Sequence, residues 1–149
     1  IFTINELINE VKDHLEILFK NSDIEFKVDI RFNCSIKADR KKLFRVLTNL
    51  VNNAIKALEE KGIVRITVYK DNNFIYFNIF DNGKGIEVDK LAYIFEPFVS
   101  YSTGGTGLGL ALSKQILKDH DGDIKVFSKF NKYTYFLIKL PVTRIAWDG

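Results

Sequence analysis

Residues 64–85 read VRITVYKDNNFIYFNIFDNGKG. Val64, Ile66 and Val68 alternate with Arg65, Thr67 and Tyr69, the period-two pattern of a half-buried strand. Asp71-Asn72-Asn73 is turn chemistry, and Phe74 to Phe80 returns as a second strand. A glycine-broken loop, Asp81 to Gly85, follows at once. Helical spacing flanks this hairpin. Upstream, Leu43, Leu47, Leu50, Val51, Ala54 and Leu58 form an apolar stripe behind the capping residue Asp39, and Lys61-Gly62 is the expected stop. Downstream, a helix is expected from about Gly107 to His120, ending at Asp121-Gly122. Two successive strands between helices do not fit regular βαβ alternation.

The outer segments extend the pattern. Thr3-Ile4-Asn5-Glu6 is a capping-box signature, and Ile4, Leu7, Ile8, Val11, Leu15, Leu18 and Phe19 predict an amphipathic helix to about Asn21. Ile24, Phe26, Val28 and Ile30 alternate as a strand, with a short strand expected near Cys34 to Ala38. Ile124 to Phe127 and Tyr135 to Leu140 read as a terminal hairpin closed by Pro141, and Val142 to Gly149 has no clear pattern. The order predicts an α+β fold: a two-layer α/β sandwich with a mixed, mostly antiparallel sheet and helices packed on one face. The other face is expected to be solvated or covered by a partner.

The 149 residues, 46% hydrophobic and 28% charged, suit a single domain, 1–149, with a core of about 3–141 and a tail of 142–149. Collagen, disorder and a coiled-coil rod are excluded by composition. No apolar run approaches the length of a membrane span, and no secretory signal pattern opens the chain. A net charge of +3 is too weak to argue for nucleic acid. The one cysteine, Cys34, fits a reducing compartment. A start at Ile1 and the absence of methionine read as a fragment of a longer protein.

Three segments carry candidate chemistry. Arg45, Asn49, Asn52 and Lys56 form a polar helical stripe with Asn53 beside it. A solvated face is one reading. Asparagines are poor helix formers, however, and an amide oxygen suits Mg²⁺ alongside phosphate while a lysine one turn on suits a phosphate. Asp81-Asn82-Gly83-Lys84-Gly85 is either a plain turn or a site where Asp81 accepts from the exocyclic amine of a base and glycines admit the ring. Gly105-Thr106-Gly107-Leu108-Gly109-Leu110 enters a helix. It can hold a phosphate on free N–H groups, or only pack the helix start on the sheet, a role that fits Gly109. Neither the dinucleotide fingerprint nor a P-loop is present. Asp119, Asp121 and Asp123 mimic a calcium loop but put Ile124 where glycine is required. His14 reads as a surface or boundary residue and His120 as a helix C-terminal residue.

Taken in order, Asn49-Leu50-Val51-Asn52-Asn53-Ala54, Asp81 to Gly85, Phe95-Glu96-Pro97-Phe98 and Gly105 to Leu110 resemble the N box, first glycine box, F box and second glycine box of the catalytic, ATP-binding domain of sensor histidine kinases. The resemblance spans Thr3 to Pro141. It implies the Bergerat fold with ATP and Mg²⁺. Asn53 would coordinate Mg²⁺, Asn49 would face the same site, and Lys56, with Ala57 beside it, would contact phosphate. Asp81 would read the adenine amino group, with Gly83, Gly85 and Ile86 beside the base and Thr134 supporting the adenine end. Phe95 and Phe98 would anchor a short ATP lid carrying Ser102 and Thr103, followed by Gly105, Thr106, Gly107, Leu108 and Gly109 at the phosphates.

ATP-hydrolysing members of the superfamily carry a water-activating glutamate where this chain has Asn49, so the resemblance implies transfer of the γ-phosphoryl group to a partner's nucleophile. The lid lacks the basic residue common in short-lid kinases, and Tyr133 stands where glycine often precedes the threonine. The acceptor histidine is expected on an upstream dimerisation domain absent from this chain, with a response-regulator receiver domain as the next partner. The chain itself is then expected to be monomeric, cytoplasmic and unable to phosphorylate itself, with membrane anchoring of the full-length protein left open. Competing readings are a serine kinase of the same superfold, a clamp ATPase, and a non-catalytic nucleotide-sensing module.

Overall fold

The computed structural model describes residues 1–59, 61–97 and 109–146. A two-residue strand, β1 (Phe2–Thr3), leads into α1 (Ile4–Lys20). The capping box is complete: Glu6 N donates to Thr3 Oγ1 at 3.1 Å and Thr3 N donates to Glu6 Oε2 at 3.1 Å. Such a cap stabilises a helix start by about 1 kcal/mol. β2 (Asp23–Ile30) and the short β3 (Ser35–Ile36) precede α2 (Arg40–Leu58), whose Asp39 cap accepts from Lys42 N. The hairpin is β4 (Lys61–Lys70) and β5 (Phe74–Asp81). A single turn, α3 (Val88–Leu91), precedes α4 (Gly109–Asp119), and β6 (Asp123–Lys129) with β7 (Tyr133–Pro141) closes the sheet.

The strand order is β2-β4-β5-β7-β6. Only β2 and β4 pair in parallel, so the sheet is mixed and mostly antiparallel. The inward register of each strand is apolar: Val64, Ile66 and Val68 on β4, Ile75, Phe77 and Ile79 on β5, Phe136, Ile138 and Leu140 on β7. These pack against one stripe of α1, the Leu43 to Leu58 stripe of α2, and Ile116 and Leu117 of α4. The opposite face carries a half-exposed layer of stacked rings, among them Tyr69 on Tyr76 and Phe127 on Tyr135, with Arg65 lying over Phe80.

Three differences from the sequence reading have physical causes. Lys61 and Gly62 do not stop α2 in place. The helix ends at Leu58, and both residues open β4 because β2 pairs with it from Asp23↔Lys61 onward. Leu18 is 45% exposed, since at the end of α1 the turn toward the sheet is filled by Leu15 and by Phe19, which packs on Phe26 of β2. Residues 142–146 are no free tail. They form a turn of 3-10 helix, bury Ile145, and bridge Ile36 beside the hydrogen bond from Ala146 N to Ser35 O.

At the end of α4, His120 is buried. Its Nδ1 donates to Ile116 O at 2.8 Å, and its Nε2 accepts from Asp39 N at 3.1 Å, fixing the tautomer and tying α4 to the start of α2. The neighbouring aspartates serve separate contacts, Asp119 with Gln115 Nε2 and Asp121 with Arg144. His14 is exposed with its ring edge-on to Phe44.

Candidate active site

The polar side of α2 forms one wall. Asn49, Asn53, Lys56 and Ala57 recur at helical spacing and share a face. Asn49 is half-buried against α4, its Nδ2 within 3.4 Å of Ser113 Oγ. Gly109 lies so close that a Cβ there would meet Asn49 Oδ1 at 2.5 Å. Asn49 is therefore also the seat on which α4 begins. One turn on, Asn53 is half-buried and Lys56 exposed, and neither side chain makes a hydrogen bond or ion pair with a described residue. An uncommitted amide oxygen beside an uncommitted ammonium group fits a hard cation and the phosphates it accompanies.

The second wall is the Asp81 loop. Asp81 ends β5 on its inward face, opposite both Val64 and Thr134, and is 3% exposed. Gly83 N donates to its Oδ1 at 2.9 Å, and no described residue donates to its Oδ2. Burial pushes the carboxyl up to about 6, with the Gly83 N–H pulling the other way. One oxygen closes the turn and the other is left without a donor among the described residues.

The loop is bolted on both sides. Asn82 Oδ1 accepts from Ile63 N at 2.8 Å, and Lys84 N donates to Ala57 O at 3.1 Å. At Gly83 a Cβ would stand 2.5 Å from that same carbonyl oxygen, so only glycine lets the loop lie on the end of α2. On the far side Asn131 N donates to Lys84 O at 2.6 Å. Gly85 has φ +69, and a Cβ there would overlap the Lys129 carbonyl oxygen.

Thr134 completes the end of the site. It is 3% exposed, and its Oγ1 lies 2.7 Å from Ser128 Oγ on β6. Ser128 also receives Ile86 N at 2.8 Å and donates to Tyr133 O at 2.8 Å. Sequence reasoning missed Ser128. Its signal was a polar residue continuing the inward register of Ile124 and Val126. Phe95 is half-buried and edge-on to Phe136, with Lys114 Nζ 4.8 Å from its ring centre. Phe98, Ser102, Thr103, Gly105, Thr106, Gly107 and Leu108 lie outside the described residues. The structure places Asn49, Asn53, Lys56 and Ala57 on α2, Asp81 at the end of β5, Gly83, Gly85 and Ile86 on the loop after it, Gly109 at the start of α4 and Thr134 on β7. No group of three or more His, Cys, Asp or Glu side chains poised for a metal occurs among the described residues.

Known proteins share this fold. Residues 38–144 match the family described as histidine kinase-, DNA gyrase B-, and HSP90-like ATPase. Sporulation kinase C of Bacillus subtilis is 33% identical over 141 residues, covering 93% of this chain and 33% of that kinase. Sensor histidine kinase ZraS of Escherichia coli K12 is 34% identical over 144 residues, covering 93% of this chain and 30% of ZraS. The chain therefore spans about a third of the length of these relatives. The catalytic domain of histidine kinase ThkA superposes with a TM-score of 0.84 at 33% identity, covering 94% of this chain and 95% of that domain. A further structure holds ThkA in complex with the response regulator TrrA, with a TM-score of 0.79 at 30% identity, covering 94% of this chain and 40% of that one. By its matched residues and its fold, this chain belongs to the histidine kinase-, DNA gyrase B- and HSP90-like ATPase family, among the catalytic domains of sensor histidine kinases.

Proposed function

We propose that the chain binds ATP with Mg²⁺ and passes the γ-phosphoryl group to a histidine on a dimerisation domain outside it, from which a response-regulator aspartate takes it. The observation that carries the reading is Asp81, a carboxylate buried to 3% exposure with one oxygen unclaimed by any described residue. With Gly83 N on one oxygen, the other has a place for a donor from a ligand, and an exocyclic amine supplies one. Gly83 and Gly85 let the loop beside it lie against the Ala57 and Lys129 carbonyls, and Thr134 stands across from it.

At the other end Asn53 would hold the Mg²⁺ and Lys56 would meet a phosphate. The bound cation supplies neutralisation of phosphate charge. Asn49 is an amide and takes no proton from water, so the site positions ATP without making water a nucleophile. The acceptor histidine attacks with its own nitrogen lone pair. A P–N bond forms, the bond from phosphorus to the bridging oxygen breaks, and that electron pair leaves on ADP. The complex of ThkA with its regulator supports the relay, and histidine kinases among the relatives favour this reading over the serine-kinase and sensing-module alternatives.

The test is calorimetric titration of ATP with and without Mg²⁺, followed by mixing with a histidine-bearing dimerisation domain. Binding should be lost in Asp81→Ala and should lose its Mg²⁺ dependence in Asn53→Ala. Label transferred to the dimerisation domain should be acid-labile, and the chain alone should release no phosphate above background. Acid-stable label or sustained hydrolysis would sink the proposal.

A further inference from the structure

Resting on the ATP reading above, we infer that Ser128 is a specificity-determining residue: it fixes the direction of the Thr134 hydroxyl so that the pocket presents only acceptors to the base. The argument is a proton count. Ser128 Oγ has one proton and two lone pairs. Three groups surround it: Tyr133 O at 2.8 Å, Ile86 N at 2.8 Å and Thr134 Oγ1 at 2.7 Å. A carbonyl oxygen only accepts, so the proton of Ser128 goes to Tyr133. An amide N–H only donates, so Ile86 takes one lone pair. The lone pair that is left makes Thr134 the donor in the third bond.

The proton of Thr134 is therefore spent on Ser128, away from Asp81. What Thr134 shows on its other side is lone pairs. Asp81 stands directly opposite in the β5–β7 register, on the same inward face, and at equal burial. Directly opposed side chains on one face of an antiparallel pair stand about 5 Å apart at Cβ. Asp81 Oδ2 is also acceptor-only when ionised, and no described residue donates to it. Two acceptors side by side match a primary amine on a ring, which has two N–H groups to give. They oppose a ring carbonyl, which would set lone pair against lone pair. The class of ligand selected is a 6-aminopurine nucleotide over a 6-oxopurine nucleotide. The discrimination depends on a residue that need not touch the base.

Ser128→Ala releases the proton of Thr134, which can then rotate toward the base. The experiment is titration of the chain and its variants with ATP and with ITP, which differ at the base by amine against carbonyl at C6 and by a bare nitrogen against N–H at N1. In the parent, ATP should bind far more tightly. In Ser128→Ala, the ATP-to-ITP affinity ratio should fall about tenfold, the worth of one reoriented hydrogen bond, and Ser128→Thr should restore it. A purely structural Ser128 would weaken both nucleotides equally, and an unchanged ratio in folded Ser128→Ala overturns the inference. Should Ser128→Ala fail to fold, Thr134→Val decides. Replacing the outward lone pairs by a methyl should weaken ATP more than ITP, and an equal loss overturns the inference. A parent that binds ATP while its variants keep their ratio leaves the kinase reading standing. A parent that binds neither nucleotide removes both.

Discussion

The Nε2 of His120 accepts the backbone N–H of Asp39 at 3.1 Å, joining the end of α4 to the cap of α2. The other ring nitrogen donates to Ile116 O at 2.8 Å. Both bonds require a neutral ring with its proton on Nδ1. His120→Leu keeps the bulk and removes both. With the Asp39 N–H left without its acceptor and the Ile116 carbonyl without its side-chain donor, the cost should be about 2 kcal/mol. Thermal unfolding should show Tm falling by roughly 4–8 °C. A shift within one degree would mean that the bond contributes nothing.

Asp81 should trade stability for binding, and the sign can be followed through pH. Burial raises its carboxyl from 3.8 to about 6. The fold thus binds this proton more tightly than the unfolded chain does. The stability it brings is fully present below 3.8 and lost as pH rises through about 6. At neutral pH the buried charge costs roughly 2–3 kcal/mol. Asp81→Asn keeps an acceptor for Gly83 N and discards the charge. The nucleotide-free variant should melt higher than the parent at about pH 7.5, with the gain vanishing as pH drops from about 6 toward 4. The same variant should lose ATP, because its amide can turn a donor toward the base amine. A lower Tm at neutral pH would contradict the assignment of the charge as a destabilising group.

Gly85 holds φ +69 with the Lys129 carbonyl where a Cβ would go. Gly85→Ala must push the loop off the β6–β7 hairpin, breaking the bonds from Asn131 N to Lys84 O and from Ile86 N to Ser128. The left-handed strain alone is about 1–2 kcal/mol. The domain should still fold, since the loop lies outside the apolar core, and ATP affinity should fall more than tenfold. Circular dichroism and titration together check this. Full affinity in a folded variant would show that the loop has slack.

The polar ends of the candidate site were legible because no described side chain claims Asn53 or Lys56 and only the local Gly83 N–H claims Asp81. Asn53 and Lys56 stand out on a helix as residues without a local reason, and Asp81 stands out at the end of an apolar strand. Ser128 and His120 were not legible as functional or bridging residues. Each is one polar side chain in an apolar register, and its meaning comes from groups distant in sequence: Ile86 for one, Asp39 for the other. The fold followed the same division. Period-two and helical spacing reveal the long elements. β1 and α3, at two and four residues, are too short to show a period. The start of β4 at Lys61 is dictated by parallel pairing with β2, which leaves no local mark.

The sheet contains two hairpins, β4–β5 and β6–β7, that can close from neighbouring residues, while the β5–β7 seam joins segments far apart in the chain. Local pairings form before distant ones, because loop closure must come first. Asp81 belongs to one hairpin and Thr134 to the other, so the base end of the site comes into being only when that seam zips shut. The nucleotide can then be no template for folding. Added to a refolding chain, ATP should leave the folding rate unchanged and act wholly on the unfolding rate, as a latch fitted to a finished door.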